Sequence, residues 1–192
     1  MSHNSKARFA LALLLLINLL NYIDRYILSS TIAGIEKDLL GHLAENKRKA
    51  PVGMLATCFM VSFMVFAPIF GSLVGKISRW HLIGGGIIFW SLASGLSGIS
   101  GTFSNIQHHT NNDYLLALSR IIGTFTFLAI TRCMVGIGEA AYGPIAPTIL
   151  SDYYPENRRG MIISIFYAAI PVGSAMGYTF GAIVGWPDAF YW

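Results

Sequence analysis

The stretch RCMVGIGEA, residues 132–140, places two opposite charges inside a long segment that otherwise carries none. Arg132 and Glu139 are seven residues apart, so in an α-helix they lie on one face, separated by about 10 Å. In the hydrocarbon of a bilayer each charge costs about 2.5–3.5 kcal/mol, and it persists where it faces a bundle interior or a wet cavity and finds a partner. The stretch therefore indicates either polar contacts that hold membrane helices together or a transport pathway with a titratable carboxyl group.

The composition of the whole chain supports a membrane location for this stretch. Hydrophobic residues make up 54% of the chain and charged residues 11%, whereas soluble domains carry about 25% charged residues. The formal net charge of +4 comes from loops and the chain start, which fits membrane topology and anionic lipid head groups better than nucleic acid. We therefore predict an all-α, multi-pass membrane protein that binds no nucleic acid.

Apolar runs divide the chain into predicted membrane spans separated by polar segments. The spans are residues 9–30, 51–74, 82–103, 125–150 and 161–186, and residues 188–192 look like the entry to a sixth span that is cut short. Residues 36–50 are predicted to be a polar loop or a short amphipathic helix. The sequence GTFS at 101–104 is echoed by GTFT at 123–126, so we interpret residues 104–123 as an insertion. Within it, residues 114–122 would be an interfacial helix or a gene-model artefact.

The second half of the first span carries an unusual set of polar side chains. Asn18, Asn21 and Arg25 follow helical spacing and form one stripe, and Asp24 lies about 100° to one side of Arg25. These groups must face protein or water if they lie at membrane depth. The alternative is that Asp24 and Arg25 cap the span at the membrane surface.

The fifth span carries a glycine at every fourth position, in the order Gly173, Gly177, Gly181 and Gly185. This spacing gives a smooth ridge against which another helix backbone can pack closely. Pro171 is predicted to kink the helix just before the ridge. The ridge is either a packing seam or a moving seam beside a cavity.

The apolar spans lack the residue patterns that enzyme active sites and metal sites need. The two cysteines, Cys58 and Cys133, have no metal-type spacing, so we interpret them as small packing residues. All five histidines lie in loops or at the chain start. The stretch 136–138 lacks the spacing of a nucleotide-binding loop. The sequence thus predicts no enzyme activity, no cofactor and no metal site.

Several stretches together resemble the major facilitator superfamily and its Spinster branch of lipid transporters. The stretches that carry the resemblance are NYIDRY at 21–26, APIFG at 67–71, R-x-x-x-G-x-G-E-A at 132–140 with IAPTI at 145–149, D-x-x-P-x-x-x-R at 152–159 and SIFYAAIPVGS at 164–174. The resemblance implies the N-terminal, six-helix half of a twelve-helix fold, truncated at the start of the sixth helix, with a C-terminal half missing. One departure is Gly75, which stands where the superfamily loop expects an acidic residue that helps to latch the inward gate.

The resemblance also implies roles for particular residues. Substrate and proton pathway positions are Asn21, Asp24, Arg25, Arg132 and Glu139. Gating or conformational positions are Gly71, Lys76, Arg79, Asp152, Arg159, Pro171, Gly173 and Gly177. Guanidinium groups suit a phosphate or carboxylate head group because they form charge-assisted hydrogen bonds. Our hypothesis is that Glu139 pairs with Arg25 or Arg132 in one state and is released in the other.

The function implied by the resemblance is alternating-access transport of a lipid-like solute, such as a lysophospholipid or sphingosine-1-phosphate, coupled to protons. Asp24 and Glu139 are the candidate proton carriers. The apolar tail would lie along aromatic side chains, unless these are plain packing residues: Phe59, Phe63, Phe166 and Tyr167. The expected partners are the lipid-like substrate, protons, membrane lipids and the missing half, and the expected location is the plasma or endolysosomal membrane. The alternative is a non-transporting truncated helical membrane protein or a partner subunit.

Overall fold

The structure is a computed structural model that describes residues 3–41, 44–109, 123–186 and 188–190. These ranges form seven α-helices, followed by a short 3-10 helix. The helices are α1 (His3–Leu40), α2 (Glu45–Leu73), α3 (Arg79–His109), α4 (Thr124–Ala140), α5 (Ala146–Tyr153), α6 (Glu156–Tyr167) and α7 (Ala169–Val184), and the 3-10 helix is Asp188–Phe190. Four helical stretches of the described part are long and apolar enough to cross a membrane: Ser5–Leu40, Lys47–Leu73, Arg79–Ser100 and Glu156–Val184. The all-α membrane fold predicted from the sequence is confirmed.

Helix α1 continues well beyond the predicted end of the first span at residue 30. Its last turns bury Ile35, Leu39 and Leu40 in a cluster with Leu55 of α2 and Leu128 of α4. This packing extends α1 to Leu40, and α2 begins at Glu45, so the predicted polar loop or short amphipathic helix at 36–50 is the end of one long helix and the start of another. The connection between α1 and α2 is therefore confined to residues 41–44.

The predicted fourth span, 125–150, is two helices. Helix α4 ends at Ala140 and α5 begins at Ala146, with a turn between them. Pro144 and Pro147 explain the break, because neither has a backbone N–H to continue the ladder and each ring clashes with the preceding turn. The apolar run is continuous in sequence, but its backbone hydrogen bonds are not.

The predicted fifth span, 161–186, lies almost entirely within the helical stretch Glu156–Val184, which the single turn residue Ala168 divides. Helix α6 ends at Tyr167 and α7 begins at Ala169, so Pro171 lies in the first turn of α7, where its missing N–H is tolerated. Helix α7 ends at Val184 and Gly185 caps it with a φ of 79°. Gly185 therefore ends the helix and does not extend the glycine ridge.

The predicted insertion spans residues 104–123, and its first part belongs to a long helix. Helix α3 runs to His109, so residues 104–109 continue the third predicted span without a loop. Residues 110–122, which include the proposed interfacial helix, lie outside the described residues.

The glycine ridge of α7 packs directly on α1. A Cβ atom added at Gly173 would lie 2.8 Å from the Cβ of Tyr22, and one at Gly177 would lie 2.6 Å from the carbonyl oxygen of Ile23. Only glycine allows such close approach of two helix backbones. The seam fixes the middle of α1, where Asp24 and Arg25 lie, against α7.

Helix α4 is held between α2 and α3 by two glycines that face opposite ways. A Cβ at Gly136 would come within 3.1 Å of the Ser62 Cβ in α2, and one at Gly138 within 2.8 Å of the Trp90 backbone nitrogen in α3. Residues two apart in a helix point about 200° apart, so this spacing serves a helix with neighbours on both sides. The arrangement buries Glu139, which directly follows Gly138.

Candidate functional site

The centre of the candidate site is an ion pair between α1 and α4. The Arg25 guanidinium donates a hydrogen bond through Nη2 to Oε2 of Glu139. Glu139 is only 2% exposed. The guanidinium carbon also lies 4.7 Å from the ring centre of Phe59 and 5.1 Å from that of Tyr22, which adds two cation–π contacts. Arg25 is thus held by one carboxylate and two aromatic faces.

Arg132 lies deeper, between the two acidic residues of the site. It is 2% exposed, and its Nη2 donates to the Ser97 hydroxyl of α3 at 2.5 Å. It interacts electrostatically with both Asp24 and Glu139. Phe190 lies beneath the guanidinium, 5.3 Å from ring centre to Cζ. Arg132 therefore offsets the negative charge of the buried Glu139 and the partly buried Asp24, and these two acids in turn supply the partners that a buried cation needs.

Asp24 contacts a different wall of the site from its neighbour Arg25. Its Oδ1 accepts a hydrogen bond from the Ser94 hydroxyl of α3. Its Oδ2 is buried and has no hydrogen-bond partner within the described part of the chain. Asp24 lines a recess of about 370 Å³ together with Trp90 and Phe190. The predicted surface cap at Asp24 and Arg25 is therefore not what the structure shows.

The two asparagines of the polar stripe on α1 have different roles. Asn18 donates through Nδ2 to the carbonyl oxygen of Phe166 at 2.9 Å, which ties α1 to α6. Asn21 is also buried, and its carboxamide interacts with the carboxylate of Glu139. Asn21 joins Arg25 and Glu139 in the site, whereas Asn18 holds helices together.

A pocket of about 160 Å³ opens on the ion pair. Its walls come from α1, α2 and α4: Arg25, Leu28, Ser29, Ala56, Phe59, Met60, Arg132, Val135 and Glu139. A water molecule occupies about 30 Å³ in the liquid, so the pocket holds roughly five waters or one small polar head group. The Nε atoms of Arg25 and Arg132 are buried without a hydrogen-bond partner among the described residues. Both guanidinium groups line the pocket, and each keeps one donor that no described residue accepts.

A second ionic contact lies at one end of the bundle, among the predicted gating residues. Arg79, the first residue of α3, donates to Asp152 near the end of α5 and to the Thr148 hydroxyl at 3.3 Å. Lys76 lines the adjoining recess of about 550 Å³. The contact fastens the α2–α3 loop to α5.

Arg159 and Gly71, two other predicted gating positions, do not join that contact in the structure. Arg159 pairs with Glu156 at 3.8 Å and donates through Nε to the Tyr154 carbonyl at 3.0 Å, so it stabilises the turn that precedes α6. Gly71 is exposed, and a Cβ there would meet nothing within 4 Å. No contact of Gly71 suggests a gating role.

Gly75, where the resemblance leads us to expect an acid, adopts a conformation that suits glycine. Its φ is 99°, which residues with a Cβ rarely adopt. The ion pair between Arg79 and Asp152 forms without any side chain at this position. The latch of the loop therefore depends on α5 for its acidic partner.

The family follows from comparison with known sequences. The family model described as Major Facilitator Superfamily matches residues 14–192. The chain belongs to the major facilitator superfamily. It is similar to the sphingosine-1-phosphate transporter SPNS2 of Mus musculus, at 40% identity over 173 residues, which are 90% of this chain and 27% of that protein.

Two further relatives show the same pattern of coverage. The protein spinster homolog 1 of Homo sapiens is 39% identical over 179 residues, or 93% of this chain and 29% of that protein. The protein spinster homolog 3 of Danio rerio is 35% identical over 179 residues, or 93% of this chain and 31% of that protein. The chain spans less than a third of the length of these relatives. As in other superfamily members, its helices form a multi-pass membrane protein.

The four aromatic residues proposed to contact a lipid tail lie in different environments. Phe59 lines the pocket and stacks on Phe63 at 6.3 Å between ring centres. Phe166 is 2% exposed and packs in the core beside Tyr142, whereas Tyr167 is 45% exposed. Phe59 therefore lines the pocket with Phe63 packed on it, and Phe166 is a packing residue.

Sequence reasoning missed the hydroxyl groups of α3 and α4 that complete this facilitator's site. Ser94 binds Asp24, and Ser97 binds Arg132. The Ser97 hydroxyl also donates to the Thr131 hydroxyl, with 2.9 Å between the two oxygen atoms. A signal was present, because Ser94, Ser97 and Ser100 follow i, i+3, i+6 spacing in an apolar helix.

Proposed function

We propose that this chain forms half of a carrier for a lipid-like solute with an acidic head group, of the lysophospholipid or sphingosine-1-phosphate type. The proposal is supported by relatives named as spinster homologues and sphingosine-1-phosphate transporters. The observation that carries it is the pocket lined by Arg25 and Arg132, whose buried Nε atoms have no hydrogen-bond partner among the described residues. The carrier acts in the plasma or endolysosomal membrane by alternating access, with a second half and without enzyme chemistry.

Recognition of the head group follows from the donors in the pocket. Phosphate or carboxylate oxygens accept charge-assisted hydrogen bonds from Arg25 and Arg132, which are about twice as strong as neutral ones. The tail leaves the pocket past Phe59 and Met60 of α2, since Met60 is 63% exposed. The site thus separates a small polar compartment from an apolar exit.

Proton coupling follows from competition for one cation. A bound anion draws the Arg25 guanidinium away from Glu139, and a carboxylate at 2% exposure that has lost its hydrogen-bonded cation is costly to keep ionised. Glu139 therefore takes up a proton as the head group binds and loses it when the ion pair re-forms. Asp24, whose Oδ2 has no partner in the described part of the site, is the second candidate carrier.

Alternating access uses two contacts of this half. The pair of Arg79 and Asp152 closes one end of the bundle in one state and opens in the other. Both side chains are partly exposed, at 34% and 59%, and such pairs contribute about 0–1 kcal/mol, so the contact can break readily. The seam of Gly173 and Gly177 after Pro171 is the surface along which α7 shifts on α1.

The experiment is uptake of a radiolabelled lysophospholipid by vesicles that contain the full-length carrier with this segment. In the Glu139→Gln variant we expect an imposed proton gradient to leave the uptake rate unchanged, because glutamine cannot exchange a proton. The matched control is Glu156→Gln, which removes a carboxylate that is 91% exposed and precedes the predicted span 161–186, and this variant should keep the dependence on the gradient. Uptake by Glu139→Gln that still rises with the gradient would remove Glu139 from the mechanism.

A further inference from the structure

The two cysteines of the chain meet across the interface between α2 and α4. Cys58 and Cys133 are 75 positions apart in sequence, and both are free and partly buried. Their thiol groups are near enough to interact electrostatically. The chain contains two cysteines in total. The sequence predicted that the two cysteines are packing residues, but it did not predict that their thiol groups are neighbours.

The register of α2 and α4 explains why these two positions coincide. Leu55 and Leu128 share one buried cluster, Phe59 lies against Gly136, and Phe63 lies against Gly143. The contacts advance in the same direction along both helices, so the helices run parallel. Cys58 and Cys133 fall between the first and second of these contacts.

The backbones of α2 and α4 also approach each other closely beside the two cysteines. A Cβ added at Gly136 would lie 3.3 Å from the carbonyl carbon of Phe59, so α2 and α4 touch backbone to backbone one turn from Cys133. A disulfide needs Cα atoms about 4.4–6.8 Å apart. Formation of the disulfide therefore requires that the Cα atoms of Cys58 and Cys133 come within this range.

We propose that Cys58 and Cys133 form a reversible disulfide when the membrane is exposed to a peroxide. One thiolate attacks the peroxide oxygen to give a sulfenic acid and hydroxide, and the second thiol displaces water from that sulfenic acid. In total, two thiols and one hydrogen peroxide give one disulfide and two water molecules. The two sulfur atoms are oxidised, the peroxide is reduced, and a small dithiol reverses the reaction.

The disulfide would join the two walls of the head-group pocket. Cys58 directly precedes Phe59, which covers the Arg25 guanidinium, and Cys133 directly follows Arg132. Oxidation would therefore fix the aromatic wall relative to the cationic wall. This inference concerns a modification site and stands independently of the proposed substrate.

The test counts free thiols in the purified chain in lipid nanodiscs. The chain is treated with hydrogen peroxide, denatured and labelled with a polyethylene-glycol maleimide, which adds one gel shift for each free thiol. We expect two adducts before oxidation, none afterwards in the monomer band, and two again after dithiothreitol. Mass spectrometry should show the loss of two hydrogens in the linked peptides and no added oxygen.

The matched control is Cys133→Ser, in which Cys58 keeps its position but has no thiol partner. This variant should retain its single adduct under the treatment that removes both adducts from the wild type. Two adducts persisting in oxidised wild type, disulfide-linked dimers, or equal thiol loss in Cys133→Ser would each overturn the proposal.

Discussion

Replacement of Arg25 by methionine is expected to lower the free energy of unfolding by about 3 kcal/mol, near the lower end of the cost of breaking a buried ion pair. The variant leaves Glu139, 2% exposed, without its cation. The cost lies at the lower end because the Arg25 side chain is 35% exposed. Unfolding of the purified chain in detergent micelles, followed by circular dichroism, measures the change.

A double variant separates the cost of leaving Glu139 unpaired from the cost of losing the Arg25 side chain itself. Arg25→Met with Glu139→Gln removes both charges, so we expect it to recover most of the stability, since replacing both partners of a buried pair is often close to neutral. Arg158→Met is the control, because this arginine is exposed and precedes the predicted span 161–186, and its stability should be unchanged. Equal destabilisation of the single and double variants would show that the ion pair is not what matters.

Replacement of Gly138 by alanine is the second large effect. The added Cβ would lie 2.8 Å from the Trp90 backbone nitrogen and 2.9 Å from the Gly86 carbonyl oxygen. Both are backbone atoms, so α3 and α4 must separate, and overpacking of this kind costs about 1–3 kcal/mol. The same micelle unfolding experiment reports the loss.

Gly85→Ala provides the matched control on α3. A Cβ at Gly85 would meet nothing within 4 Å, and glycine in a helix interior is about 1 kcal/mol less favourable than alanine. We therefore expect slight stabilisation at Gly85 and destabilisation at Gly138. Changes of the same sign at both positions would contradict the close packing of α3 on α4.

The charged residues of the site were predictable from the sequence because ionic groups in an apolar run need partners. Arg132 and Glu139 cannot pair directly, since two helical turns separate them by about 10 Å. Sequence reasoning therefore left Arg25 and Arg132 open as partners of Glu139. The structure selects Arg25, 114 positions away, through a packing of α1 beside α4 that no local pattern encodes.

The helix boundaries were less predictable because apolar length hid the backbone chemistry. Pro144, Pro147 and Pro171 mark the interruptions within two predicted spans, yet hydropathy treats these runs as continuous. The end of α1 was predicted wrongly for a different reason. Its last turns are stabilised by Leu55 and Leu128, which belong to other helices.

The glycine patterns show the same division between local and long-range information. A glycine at every fourth residue predicted the face of α7 that packs on α1, because this spacing marks one side of one helix. The pair Gly136 and Gly138 gave no such signal, since the two residues face opposite sides. Its meaning depends on α2 and α3 both touching α4.

The central claim is that an acidic head group takes the place of Glu139 on Arg25. The most direct measurement is equilibrium binding, in lipid nanodiscs, of a single-chain lipid phosphate and its dephosphorylated alcohol. For the variant that combines Arg25→Met with Glu139→Gln, we predict about tenfold weaker binding of the phosphate, since a hydrogen bond to a charged group contributes about 1.5–3 kcal/mol, and unchanged binding of the alcohol. Wild-type affinity of this variant for the phosphate would contradict the account.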